Sequence, residues 1–182
     1  GFDVSTGGRK PILVELHAKA GFVVGVDLGR TGVSSGHAVF VMTDLRGQIV
    51  HRLVELRGAE GMDRAFQELD GMLREFLASS PVDTKKIQGI GIGLPGILDE
   101  RAGTVRDLSP HGVRTNFVVI RDQLEANFRL PVLMASDSML AGYGELRLGL
   151  DRPAQNLVYL YSAVGASLII NGHIYWGAGA SA

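Results

Sequence analysis

The hydrophobic positions near the start of the chain fall into short runs separated by glycine-containing turns. Residues 22–28 are an almost continuous apolar, β-branched run, the pattern of a strand buried on both faces. Two more apolar runs follow at 37–43 and 49–56, and this spacing predicts an antiparallel meander of three strands. A further short strand is predicted at 12–16.

The rest of the chain alternates helical and extended patterns. Apolar residues recur at helical spacing over 62–78, which predicts an amphipathic helix. Residues 87–94 alternate isoleucine with glycine, typical of a strand whose glycines allow close backbone approach. We also predict helices at 120–128 and 138–148, a strand at 131–135, and a late hairpin from the strands 157–161 and 167–170.

This order of elements predicts an α/β fold of the ribonuclease-H-like (actin-like ATPase) class, with a mixed sheet. Three antiparallel strands come first, and alternating helices and strands follow. No helix is predicted to cover the last strands, and a lone pair of hairpins is marginal in water. We therefore expect residues 1–20 to be a connecting segment, 21–152 a first lobe, and 153–182 the start of a truncated second lobe.

Composition narrows the class of protein. Apolar residues make up 46% and charged residues 20% of the chain, as in ordinary soluble domains, and we predict a cytoplasmic protein. The formal net charge is −1, so no basic field attracts a polyanion, and we do not expect these residues to bind nucleic acid themselves. Cysteine is absent and the histidines lack metal-ligand spacing, so no metal site is predicted.

Four motifs are spread along the chain: Asp27-Leu28-Gly29-Arg30-Thr31, the run Gly91-Ile92-Gly93-Leu94-Pro95-Gly96, Ser136-Asp137 about forty residues later, and Asn171-Gly172. Together they resemble the motifs of the ROK family of repressors, open reading frames and kinases. The resemblance extends over nearly the whole chain. It implies the actin-like fold and one of two functions, sugar kinase or sugar-responsive transcriptional regulator.

One segment favours the regulator branch. The regulators carry a winged helix before the kinase-like domain, and Ser5-Thr6-Gly7-Gly8-Arg9-Lys10-Pro11 resembles the stretch that joins the two. The resemblance therefore implies a sugar-sensing domain that reaches DNA only through an upstream winged helix and forms homo-oligomers in the full protein. The alternatives are a fragment of an ATP-dependent sugar kinase, or a structural module whose cleft binds nothing.

The resemblance also assigns sugar-binding residues: Gly96, His111, Asn116, Ser136 and Asp137. In the kinases the aspartate at position 137 is the general base that takes the proton of the attacking sugar hydroxyl. A purely structural alternative is a helix N-cap. Serine stands at 136 where the family usually has asparagine. Gly96 could equally be required by a turn, and His111 could be an exposed loop residue.

Phosphate-binding candidates are Asp27, Gly29, Arg30 and Thr31. Glycines let backbone N–H groups surround a phosphate while an aspartate helps to hold Mg²⁺. Arg30 stands where the family's kinases have glycine, so the alternative is a tight turn capped by Asp27. A second phosphate loop lacks the Gly-Thr-Gly of the kinases and keeps only Gly165. We therefore expect no ATP or Mg²⁺ cofactor, except under the kinase alternative.

Overall fold

The computed structural model describes residues 14–29, 36–57, 62–106, 114–149, 154–161 and 165–177. In chain order, the elements are β1 (Phe22–Asp27), β2 (Gly36–Asp44), β3 (Ile49–Arg57), α1 (Met62–Ala78), β4 (Ile87–Leu94), β5 (Ile97–Asp99), β6 (Thr104–Arg106), β7 (Arg114–Asn116), α2 (Phe117–Phe128), β8 (Val132–Ser136), α3 (Asp137–Gly144), β9 (Leu157–Tyr161), β10 (Gly165–Ile170) and β11 (His173–Ile174). Short 3-10 turns lie at Ala18–Ala20 and Thr84–Lys86, and a π-helical turn at Glu145–Gly149.

A five-stranded mixed sheet organises the first part of the chain. Its strand order is β3-β2-β1-β4-β8. Strand β1 runs antiparallel to β2 and parallel to β4, and β4 is in turn parallel to β8. The predicted meander and mixed sheet are therefore confirmed.

Helices α1 and α2 cover one face of this sheet. The alternating pattern of β4 turns Ile90, Ile92 and Leu94 toward that face, and all three are buried. They join a core with large side chains of α1 and α2, including Leu73 and Phe117. The opposite face carries the glycines of β4, and helix α3 begins over it.

Two smaller sheets flank the large one. Strands β5, β6 and β7 form a three-stranded antiparallel sheet that the sequence patterns did not predict. Strands β9, β10 and β11 form another, which includes the predicted hairpin. Helix α3 packs against β9 and β10. The expectation that no helix covers these late strands is therefore wrong, because the helix that precedes them in sequence turns back onto them.

Some predicted boundaries also need correction. Helix α2 begins at Phe117, three residues earlier than predicted, because Asn116 caps it there. Helix α3 is α-helical only to Gly144 and continues as the π-helical turn. Residues 14–17 are not a strand, and 12–13 lie outside the described residues. The longest described helix has 17 residues, and no helix in that part of the chain is long and apolar enough to cross a membrane.

Candidate functional site

The carboxyl ends of three neighbouring strands bring three of the predicted residues, Asp27, Ser136 and Asp137, to one end of the large sheet. Asp27 ends β1 and pairs in register with Gly93 of β4. Leu94, the next residue, pairs with Ser136 at the end of β8. Two strand spacings separate β1 from β8, which is roughly 10 Å. This is the edge at which open α/β sheets bind their ligands.

Asp27 supports the turn that follows its strand. Its Oδ1 accepts a hydrogen bond of 2.8 Å from the backbone N–H of Gly29, two residues on. Gly29 adopts φ 64°, a left-handed conformation that glycine accepts without strain. Asp27 therefore caps the turn, and one N–H that could have faced a phosphate is directed at this carboxylate. Arg30 and Thr31 lie outside the described residues.

Asp137 is the first residue of α3 and lies over the glycine side of β4. An ideal Cβ on Gly93 would lie 3.4 Å from the Cα of Asp137. The Asp137 Oδ1 accepts a 2.6 Å hydrogen bond from the adjacent Ser138 N–H. The N-cap position belongs to Ser136, so the structural alternative that made Asp137 the N-cap is wrong by one residue. A carboxylate in this first turn is stabilised by the helix dipole.

Ser136 and Ser138 form a hydroxyl pair beside this aspartate. Their Oγ atoms are 2.8 Å apart, and Ser138 is only 5% exposed. The Ser136 side chain makes no capping bond to the helix, so its hydroxyl is directed at Ser138 instead. Sequence reasoning missed Ser138. The Ser-Asp-Ser triplet at a strand-to-helix junction was the available signal.

Gly96 is required by the packing of the backbone around it. It adopts φ 116°, and a Cβ there would lie 2.4 Å from the carbonyl oxygen of Arg106 in β6. Because that atom belongs to backbone, no side chain can be accommodated without moving the strand. The geometry of the turn alone therefore accounts for the glycine at position 96.

Asn116 is the N-cap of α2. Its Oδ1 accepts hydrogen bonds of 3.0 and 3.2 Å from the N–H groups of Val118 and Val119. This use of the oxygen leaves the amide NH₂ group as the part of the side chain suited to a sugar hydroxyl. His111, the other loop candidate, lies outside the described residues.

The second predicted phosphate loop retains little of a phosphate cradle. Gly165 is the first residue of β10 and pairs with Tyr161 in the antiparallel ladder. It is not among the described glycines with positive φ, which a nest of N–H groups needs. Residues 162–164 lie outside the described residues. Within the described ranges, no three acidic or histidine side chains cluster closely enough to hold a metal ion.

Comparison with known proteins places this arrangement in context. The model of the ROK family matches residues 23–182. A xylose repressor of Caldicellulosiruptor bescii is 28% identical over 181 residues, which cover 98% of this chain and 44% of the repressor. A glucokinase of Halalkalibacterium halodurans is 28% identical over 157 residues, covering 85% of this chain and 46% of the kinase.

Solved structures confirm the actin-like fold. A ROK family glucokinase from Streptomyces griseus, solved in complex with glucose and AMPPNP, has a TM-score of 0.69 at 21% identity. The match covers 89% of this chain and 48% of the glucokinase. The chain thus spans about half the length of the proteins it matches.

Proposed function

The chain belongs to the ROK family, and from this premise we propose that it is the sugar-sensing part of a transcriptional regulator without kinase activity. Its effector is a sugar or sugar derivative. DNA is reached through a winged helix outside these residues, and the full protein acts as a homo-oligomer. The relatedness to a xylose repressor supports the regulator branch.

A difference between the two halves of the site carries this proposal. In the sugar half, Ser136 and Asp137 stand together at the end of β8, with hydroxyl and carboxylate groups suited to a polyol. In the phosphate half, the Gly29 N–H is bound by Asp27 and Gly165 is paired in a strand. The polar groups for a sugar are retained, whereas the glycine-rich backbone that surrounds a nucleotide phosphate is reduced.

Sugar binding would act by shifting a population of conformations. A sugar held by Asp137 touches α3, the helix that also packs against β9 and β10. Binding that favours a closed arrangement of the two lobes would alter how the attached winged helices meet DNA.

Calorimetric titration of the full-length protein with xylose, glucose and Mg-ATP tests the proposal. We expect sugar binding without ATP binding, and a loss of sugar affinity of at least about tenfold in Asp137→Ala, the value of one charge-assisted hydrogen bond. Asp122→Ala, an exposed carboxylate on α2, is the matched control and should bind sugar like the parent. Sugar binding that survives Asp137→Ala unchanged would refute the assignment of this residue.

The second candidate is a sugar kinase, favoured by the relatedness to a glucokinase and by the presence of both Asp27 and Asp137. A kinase would bind Mg-ATP and release ADP when sugar is added. That activity would vanish in Asp137→Asn, because the general base would be absent. Sugar-dependent ADP release by the parent would therefore replace the sensor proposal by this one.

A further inference from the structure

A cavity of about 590 Å³ lies at the opposite edge of the large sheet from the candidate sugar site. Its lining includes Ile87, the first residue of β4, and Leu130, which shortly precedes β8. Three cationic side chains line it: Arg74, Lys85 and Arg129. We propose that this cavity binds the phosphate group of a small organic phosphate.

Arg74 is held in place before any ligand arrives. Its Nε donates to Oδ2 of Asp70 at 2.7 Å, and its guanidinium lies 5.1 Å from the centre of the Phe128 ring. A cation fixed by an ion pair and a ring loses less conformational entropy when it binds an anion. The hydrogen bond from Arg74 lowers the pKa of Asp70, so this carboxylate stays charged and balances one of the three cations.

Arg129 occupies a backbone conformation that favours glycine. It is the C-cap of α2, with φ 54° and ψ 38°, and only one other described residue besides glycine has positive φ. Left-handed glycine is the common way to end a helix, and non-glycine residues in this region concentrate at functional sites. An arginine that accepts this strain while lining a cavity is better explained by a ligand than by helix termination alone.

Helix ends are the competing explanation for these cations. Arg74 lies near the C-terminus of α1 and Arg129 at that of α2, and each helix C-terminus carries about half a negative charge. Among the lining residues and their side-chain partners, Asp70 and two such ends still leave an excess of roughly one positive charge. Asp83, which accepts a hydrogen bond from the Lys85 backbone N–H, does not line the cavity. Lys85 and Arg129 form no ion pair within the described part of the chain. The excess therefore remains available to an anion.

The remaining lining residues suggest which kind of organic group is attached to the phosphate. Asn127 adds an amide to the polar side, and its Nδ2 is already oriented by a 2.9 Å hydrogen bond to Asp70 Oδ1. Leu77, Ile87 and Leu130 add aliphatic groups to the lining. A phosphate ester with an apolar or ring-shaped body would contact both the polar and the aliphatic lining, whereas inorganic phosphate would contact only the cations. This site is separate from the proposed sugar site and does not depend on it.

Thermal denaturation and calorimetric titration with inorganic phosphate and phenyl phosphate test the site, with chloride at equal ionic strength as the reference. We expect both phosphates to stabilise the protein more than chloride, and phenyl phosphate to bind more tightly. Arg129→Gln should weaken phosphate binding about tenfold or more. Arg121→Gln is the matched control, because it removes an exposed cation of the same helix that does not line the cavity.

A second variant separates loss of the site from loss of the fold. Arg129→Gly removes the cation and also relieves the left-handed strain, so it should melt at a higher temperature than the parent yet lose the stabilisation by phosphate. If phosphate stabilises no more than chloride, or if Arg121→Gln loses phosphate binding as much as Arg129→Gln, the proposal is overturned.

Discussion

The two faces of the five-stranded sheet differ in the size and burial of their side chains. One face presents large apolar side chains to α1 and α2, and Leu94 on this face is fully buried. The other face presents Gly25 beside Gly91 in register, and Leu133 on this face is 76% exposed. The strand β4 contributes to both, isoleucine to one side and glycine to the other.

The helix-covered face therefore stabilises the domain, whereas the glycine face leaves space for the candidate site. Close-packed side chains on the helix-covered face supply the apolar burial that stabilises the domain. On the glycine face the absence of side chains at the β4 glycines lets α3 begin directly over this strand, which sets Asp137 beside Gly93. Strand β4 thus contributes side chains to the core and also positions Asp137, the candidate sugar-binding residue.

The largest expected change in stability comes from a leucine-to-alanine substitution, made once on each face of the sheet. Leu94→Ala should lower the free energy of unfolding by about 2–5 kcal/mol, because it leaves a cavity in the packed core. Leu133→Ala should change it by less than about 0.5 kcal/mol, because that side chain is mostly in water. Urea denaturation of both variants gives the values. A cost above 1.5 kcal/mol for Leu133→Ala would mean that the glycine face is covered in solution.

A smaller effect is expected where α3 meets the late strands. A Cβ on Gly142 would lie 1.9 Å from Ser167 Oγ, a buried hydroxyl, so Gly142→Ala should destabilise by about 1–3 kcal/mol. Gly144→Ala is the control, since nothing lies within 4 Å of its Cβ and helix propensity should make it neutral or stabilising. Thermal denaturation would measure both changes. Adding Ser167→Gly should restore most of the loss, and failure of this rescue would contradict the contact.

The next prediction asks whether the glycine face needs glycine for packing. At Gly91 a Cβ would meet only the carbonyl oxygen of Val24, at an ordinary 3.9 Å. Gly91→Ala should therefore stabilise the protein by up to about 1 kcal/mol through lower chain entropy in the unfolded state. Denaturation with urea and, separately, with guanidinium chloride would measure this gain in stability. A loss of stability would show that a further segment packs closely on this face.

The smallest expected change in stability concerns the hydrogen bonds of Asp70, one of which links α1 to α2. Asp70 of α1 bonds Arg74 and Asn127, and the Arg74 hydrogen bond lowers its pKa below the usual 3.8. Because the folded-state pKa is lowered, the stabilisation is present above about pH 4 and is lost as the pH falls through the folded-state value. Asp70→Asn should therefore cost less than about 1 kcal/mol at pH 7, discounted for exposure. The difference from the parent should shrink below pH 4, as followed by urea denaturation, and a constant difference would exclude the ion pair as its source.

Much of the large sheet was predictable because its signals are local. The alternation of isoleucine and glycine over β4 has the period of a strand, so it identified the element. The meander of β1, β2 and β3 was likewise predicted from apolar runs and turns. Family motifs singled out Asp27 and Asp137 as candidates, but their placement at the carboxyl ends of β1 and β8, on either side of β4, came only from the register.

The missed features depend on contacts between distant residues. Strands β5, β6 and β7 have three residues each, too few for a period, and Arg114-Thr115-Asn116 of β7 is polar throughout. The position of Asp137 inside the helix depends on the extended backbone of Ser136, which no composition rule determines. The cover that α3 gives to β9 and β10 arises from a close approach at Gly142 that spacing alone did not reveal.

That close approach at Gly142 has a consequence for how the two ends of α3 are used. Because Ser167 Oγ lies where a Cβ of Gly142 would be, a larger side chain at position 142 would push α3 away from β10. At its other end α3 begins directly after β8, where Ser136 is followed by Asp137. One short helix therefore carries the candidate effector-binding residue in its first turn and the contact with the small sheet further along.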